Sequence, residues 1–189
     1  MKVNIQNYED KRRLKAAISQ ELLKKAWGRP VIVLCIGTDR STGDAFGPLV
    51  GSFSKEAGVN HFKIYGTLDE PVHAVNLEEI LNKIYSLYPN PFIIAVDASL
   101  GSLNSIGQIV FKTEPLKPGA ALNKKLPPVG NLSLTGVVNI GGFMEFMVLQ
   151  NTRLSLVMSM ARFLADVIIE LNHQFSHANL TQFLPGCGR

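Results

Sequence analysis

A chain of 189 residues with two cysteines and a formal net charge of +4 has the size of one ordinary domain, long enough to bury a core without metal or disulfide staples. Its 46% hydrophobic and 18% charged residues exclude a disordered or fibrous protein. The basic residues are scattered, apart from Lys11, Arg12, Arg13 and Lys15 on one predicted helix and the pair Lys124 and Lys125, which excludes a nucleic-acid footprint in favour of solvated faces.

The opening MKVNIQNYEDKRRLK lacks the apolar centre of a secretory signal and predicts a cytoplasmic protein. Leu14, Ile18, Leu22, Leu23 and Trp27 recur at helical spacing, so residues 8–27 read as an amphipathic helix ended by Gly28 and Pro30. VIVLCIG, 31–37, is a short apolar run of β-formers, the pattern of a strand buried on both faces; Cys35 lies inside it as a core residue. A loop of small and polar residues follows. It leads into a helix lined by Phe46, Leu49, Val50, Phe53 and Ala57, whose first turn carries Asp44. HFKIYG is the next strand, Leu77, Ile80, Leu81, Ile84 and Leu87 mark the next helix, and PFIIAVDAS is a third strand, apolar until Asp97 ends it.

That alternation predicts right-handed crossovers and a parallel sheet with helices on both faces. GQIVFKTEP follows Asp97 too closely for another helical crossover and reads as an antiparallel strand. Residues 115–131 form a long exposed loop, and LSLTGVVNI is a fifth strand. Leu154, Val157, Met158, Ala161, Leu164, Ala165 and Ile168 give a closing helix, interrupted by Arg162, Asp166 and Glu170 and so unsuited to a membrane. The expected architecture is one three-layer α/β/α domain over 1–189, phosphorylase/hydrolase-like. It has an N-terminal helix at 8–27, a core over 31–172, five mostly parallel strands with one antiparallel, and a loose tail at 173–189.

In open α/β sheets, sites gather at the carboxyl ends of the parallel strands, which selects the loops at 37–44, 66–75 and 97–105. The first is no phosphate cradle: GTDRSTGD lacks the Lys-Ser/Thr ending of a P-loop and the GxGxxG pattern, and Asp44 would repel a phosphate. Asp44 alone is compatible with a helix-start acid stabilised by the macrodipole, and Asp97 alone with an Asx-turn in DASLG. Adjacent strands would bring the two carboxylates together, where both cannot ionise cheaply, giving a proton-sharing pair. A divalent metal is the competing use of such a pair. His73 is either a third partner or an exposed loop histidine. No HExxH, CxxC or GxSxG pattern is present, and Ser41, Ser99 and Ser102 have no base nearby in sequence beyond His73.

The segments CIGTDRSTGDAFGPLVG, YGTLDEPVHAVNLEE, PFIIAVDASLG and LPPVGNLSLTGVVNIGGFMEFMVLQNTRLSLVM together resemble the YyaC family of sporulation proteins, described as spore proteases, from about Val31 to about Ala165. Through GD-A-F-GP and IAVDA the chain is more distantly similar to the germination protease, which degrades small acid-soluble spore proteins, and to the hydrogenase-maturation endopeptidases. The first similarity implies that Asp44 and Asp97 are a catalytic aspartate pair. The second implies nickel at the same two positions with a histidine from the 132–139 region, where this chain has none.

The resulting expectation is a cytoplasmic peptidase of the sporulating cell or forespore that needs no cofactor. Asp44 and Asp97 are catalytic, and backbone N–H groups around Gly43 stabilise the oxyanion. Thr67, Glu70 and His73 on one loop, and Gly130 and Asn131 at the end of another, flank a groove for an extended peptide. The expected partner is a protein or peptide substrate, small acid-soluble spore proteins among them, with no direct nucleic acid and no membrane. Phe143, Met144, Phe146 and Met147 serve either the core or an interface between copies of the chain. Two competing readings are a binding protein without turnover and a metal-dependent hydrolase.

Overall fold

The computed structural model describes residues 1–118 and 128–181, with side chains to residue 176. The elements in chain order are β1 (Lys2–Asn4), α1 (Tyr8–Lys25), β2 (Val31–Cys35), α2 (Phe46–Glu56), β3 (Lys63–Tyr65), α3 (Leu77–Leu87) and β4 (Phe92–Gly101). After a 3-10 turn at Leu103–Ser105 come β5 (Gln108–Lys112), β6 (Leu132–Ile140), α4 (Glu145–Gln150) and α5 (Leu154–Thr181).

The strand order is β1-β5-β6-β4-β2-β3. β3, β2, β4 and β6 run parallel, and β5 is the expected antiparallel strand, paired to β6. The sheet has six strands, not five. β1 adds to β5 through Lys2↔Val110, Val3↔Ile109 and Asn4↔Gln108, a run too short and too charged to show a period in the sequence, yet one that buries Val3.

Alternation along the central strands builds two cores. Val33 and Cys35 of β2, with Ile94 and Val96 of β4, pack with Leu14, Ile18 and Leu22 of α1, Phe46 and Val50 of α2, and Val157, Ala161 and Leu164 of α5. Ile32 and Leu34, with Ile93 and Ala95, meet Leu77, Leu81 and Ile84 of α3 together with Leu116 and Val129. Gly47 lets α2 lie directly on β2, since a Cβ there would collide with the Ile36 carbonyl.

Three boundaries differ from expectation. α1, capped by Asn7 Oδ1 accepting from the Glu9 N–H, ends at Lys25. Leu14, Ile18 and Leu22 fill its buried stripe, while Leu23 lies about 100° round the helix and Trp27 beyond its end, so both are exposed. β4 continues past Asp97 to Gly101, because β6 runs on beside it through a bulge at Ser99/Leu100. α5 continues past His173 to Thr181, its later part tied by Asn172 and Gln174. Residues 182–189 of the expected tail and 119–127 of the expected long loop lie outside the described residues.

Candidate active site

The last pair between β2 and β4 is Cys35↔Val96, so Asp97 is the first β4 residue beyond the end of β2, while still opposite Thr135 of β6. It follows Ile93 and Ala95 on the α3 side of the sheet. Asp97 is therefore interior to its own strand and at the edge of its neighbour. The Asx-turn reading gives way to a local bond, Asp97 Oδ1 accepting from the Ala98 N–H at 2.8 Å within a continuing strand.

Beyond β2, the Ile36 N–H donates to Val96 O and the Gly37 N–H to Val72 O, which ties the ends of three chain segments together. Gly37, at φ +144°, then reverses the chain. The Thr38 N–H donates to Asp44 O at 3.2 Å, and the Ala45 N–H to Ser41 O at 3.0 Å, folding the loop back on itself. Asp44 sits in this turn, two residues before α2, rather than in the first helical turn, and α2 has no side-chain cap. The macrodipole reading of Asp44 thus lacks its helix-start position.

Burial raises the Asp44 carboxyl above the ordinary aspartate range, with the charge of His73 partly offsetting the rise. Burial, then the charge of Asp44, push Asp97 well above that range, against the opposing hydrogen bond from Ala98. The two strands and the loop between them deliver two coupled carboxyls, of which Asp97 holds its proton more tightly. Such a pair can carry one proton at a pH where isolated aspartates carry none.

His73 lies on the loop between β3 and α3. Its own N–H donates to Asn76 Oδ1, its carbonyl accepts from the Asn76 and Leu77 N–H groups, and Nδ1 accepts from the Val75 N–H at 3.3 Å. Together with Tyr65, Thr67, Glu70, Asn76 and Lys83 it lines a cleft of about 480 Å³. Thr67 is buried and holds the turn, its Oγ1 accepting from the Glu70 N–H; the Glu70 side chain is exposed, 3.9 Å from Lys55.

Three expected site residues are placed elsewhere. The Gly43 N–H donates to Leu149 O at 2.9 Å, and a Cβ at Gly43 would press on Leu149 and Thr152, so this glycine joins the loop to α4 and has no free donor for an oxyanion. Gly130 and Asn131 precede β6 and therefore lie at the opposite edge of the parallel strands. Asn131 exchanges hydrogen bonds with Ile93, four residues before Asp97 and thus about 13 Å away along the strand.

Two features carry no sequence signal. Ser41 Oγ is buried without a hydrogen-bond partner, and Asn139 Nδ2 donates to Thr152 Oγ1 and Val148 O, latching the end of β6 to the turn that holds Gly43. Both depend on tertiary contacts between distant segments. Phe143, 86% exposed, and the exposed Met144, Phe146 and Met147 are surface residues beside this latch, which rules out the core reading for them.

The acid, acid and histidine set for nickel does not fit. β6 has no histidine, Asn139 near its end is occupied as described, and among the described residues no three His, Cys, Asp or Glu side chains form a group able to hold a metal ion.

With the geometry in place, comparison with known proteins defines the class of fold. HycI, a [NiFe] hydrogenase maturation protease from Thermococcus kodakarensis, superimposes with a TM-score of 0.57 at 19% identity, over 83% of this chain and 99% of that one. HybD from the same organism reaches 0.44 at 13% identity over 76% and 99%. The HycI match shows a mixed α/β fold similar to that of a hydrogenase maturation protease. Residues 2–167 match the family described as protein of unknown function DUF1256, and the chain belongs to it. It is 56% identical over 144 residues, 76% of this chain and 70% of the relative, to the uncharacterized protein YyaC of Bacillus subtilis, as the resemblance to the YyaC family implies. Among the described residues no helix is long and apolar enough to cross a membrane.

Proposed function

We propose that this protein is a peptidase in which Asp44 and Asp97 activate water against a peptide bond. The observation that carries the reading is the coupled pair itself: two carboxyls from separate segments, both raised by burial, with Asp97 raised further by Asp44. Asp97 is the acid and Asp44 the base. Asp44 takes a proton from water as its oxygen attacks the carbonyl carbon, and Asp97 gives its proton to the leaving nitrogen as the C–N bond breaks. The extended chain of the substrate lies along the cleft lined by Thr67, Glu70 and His73, whose lining includes neither acid but whose Val72 accepts from Gly37 at the root of the Asp44 loop. The similarity to the germination protease makes small acid-soluble spore proteins in the cytoplasm of a sporulating cell the first substrates to test.

Turnover of such a protein, followed by mass spectrometry, is abolished by Asp97→Asn or Asp44→Asn with cooperative unfolding retained. Undiminished cleavage by both variants overturns the dyad. The working state has Asp44 ionised and Asp97 protonated, so kcat rises with pH through the raised value of Asp44 and falls through the higher value of Asp97. A rate already at its plateau in the ordinary aspartate range would contradict this.

A binding protein without turnover is the second reading. It is favoured by one observation, the engagement of the Gly43 N–H by Leu149, which removes an expected oxyanion donor. Binding of intact substrate without cleavage by the unmodified protein distinguishes it.

A further inference from the structure

The two outermost strands of the sheet are finished differently. On one side β1 is closed from within the chain: the Asn4 N–H donates to Asp10 Oδ2, and Asn4 O accepts from the Asn7 N–H. On the other side β3 is the last strand, paired to β2 through Ile32↔Lys63, Val33↔Ile64 and Leu34↔Tyr65. The approach to β3 is closed as well, since Asn172 Oδ1 accepts from the His61 and Phe62 N–H groups. From Lys63 to Tyr65 that protection stops. Among the described residues the backbone of these three makes no hydrogen bond beyond the β2 ladder, and none of the three is fully buried. Free N–H and C=O groups along an outer strand are a template for one more strand.

The cleft of about 480 Å³ lies along this edge. Ile64 and Tyr65 point to opposite faces of the sheet, Ile64 packing on the core shared by α1, α2 and α5 and Tyr65 on the core of α3, yet both line the cleft. A space running along the edge of the strand is bordered by both. α3 contributes Ile80 and Lys83 to it, and the loop after β3 contributes Val72, which bridges Ile36 beyond the end of β2. An apolar wall beside an unpaired backbone edge matches an extended polypeptide, which offers alternating donors and acceptors along one side and a side chain at every second position. Three residues of strand present far less than the ~800 Å² that each partner buries in a stable dimer, so the edge suits one short segment rather than a second copy of the chain.

We propose that the free edge of β3 is a docking site for an extended segment of the protein substrate, which joins the six-stranded sheet as a further strand and sets alternate side chains against Ile80. This rests on the peptidase reading for what the docked segment belongs to, and the docking itself stands without it. β3 and β2 separate the added strand from β4, so it lies three strand spacings, about 14 Å or more, from Asp97. The docked segment is therefore about four or more extended residues away from the bond to be cut, and it reads the substrate outside the acid pair.

The test adds an eight-residue peptide of alternating valine and threonine to the full chain and follows backbone amide hydrogen exchange residue by residue by NMR. Exchange of one or more amides in residues 63–66 is expected to slow about tenfold or more at saturation, and a copy of the peptide methylated at every amide nitrogen to bind about tenfold more weakly. No protection of residues 63–66, equal binding of the methylated copy, or protection confined to the exposed 143–147 segment overturns the proposal. So does protection of residues 63–66 that grows with protein concentration before any peptide is added, which would mean pairing between copies. Ile80→Asp puts a charge in the cleft wall and is expected to weaken the peptide about tenfold, with a smaller loss in Ile80→Ala. Thermal unfolding verifies that both variants are folded, and unaltered binding in both overturns the proposal. Turnover retained in Asp44→Asn and Asp97→Asn would remove the peptidase reading, and the amide protection would still decide the docking; turnover lost in those variants without protection of residues 63–66 would remove the docking alone.

Discussion

At the amino ends of the parallel strands polar side chains are spent on backbone, whereas at the carboxyl ends, beside the well-bonded Thr67, Asn76 and Asn139, two side chains are left with few partners or none. Arg29 donates to Asn90 O, Pro91 O and Lys25 O; Asn131 Oδ1 accepts from the Ile93 N–H; Asn172 Oδ1 accepts from the His61 and Phe62 N–H groups. Arg29 satisfies carbonyl acceptors, and the two asparagines satisfy N–H donors at strand starts. At the other edge Asp97 accepts only from its own neighbour, and Ser41 Oγ has no partner. One edge is built for stability, and the other keeps a half-buried carboxyl and a buried hydroxyl that folding alone would not favour. Under-satisfied polar groups clustered at one edge of a saturated scaffold are a mark of a reaction site.

The comparison can be broken or sharpened by substitution. The largest effect expected is on catalysis: Asp97→Asn lowers kcat by about 10²–10⁴-fold. The same change raises stability at neutral pH. The native carboxyl binds its proton more tightly than the unfolded one, so its penalty is absent below the ordinary aspartate value and sets in as pH rises through it. Denaturant unfolding at acid and neutral pH checks the sign, and a variant less stable at neutral pH would contradict it.

Asn172→Ala orphans two N–H groups at the opposite edge and should cost about 2–4 kcal/mol without moving the pH profile of kcat. Asn131→Ala orphans the Ile93 N–H for about 1–3 kcal/mol, again with catalysis intact. A selective loss of turnover there would restore Asn131 to the substrate groove. The smallest effect belongs to Ser41→Ala, which removes an unpaired buried hydroxyl and should raise stability by about 1 kcal/mol, read as a higher melting temperature. A lower one would mean that the hydroxyl has an ordered water as partner.

The sequence made much of the scaffold legible because local patterns carried it. The alternation from Val31 to Asp97 predicted parallel neighbours, and the Cys35↔Val96 register realises the adjacency on which the acid pair depends. Burial of Leu14, Ile18 and Leu22 follows from helical period alone. The misplaced elements are those set by a partner strand. β4 runs past Asp97 because β6 pairs with it, and β1 exists because β5 offers an edge. Gly130 and Asn131 share a loop with groove-like composition, yet they precede β6, and residues that precede a parallel strand lie at the edge opposite those that follow one.

The chain by itself determined which residues could do chemistry, since the pattern of apolar runs and glycine turns puts Asp44 in the loop after one strand and Asp97 at the end of the apolar run of its neighbour. Only the tertiary structure decided their state. A carboxyl's affinity for its proton depends on water excluded and charges brought near by segments far away in the chain, here His73, Leu149 and β6, and no local pattern encodes that environment.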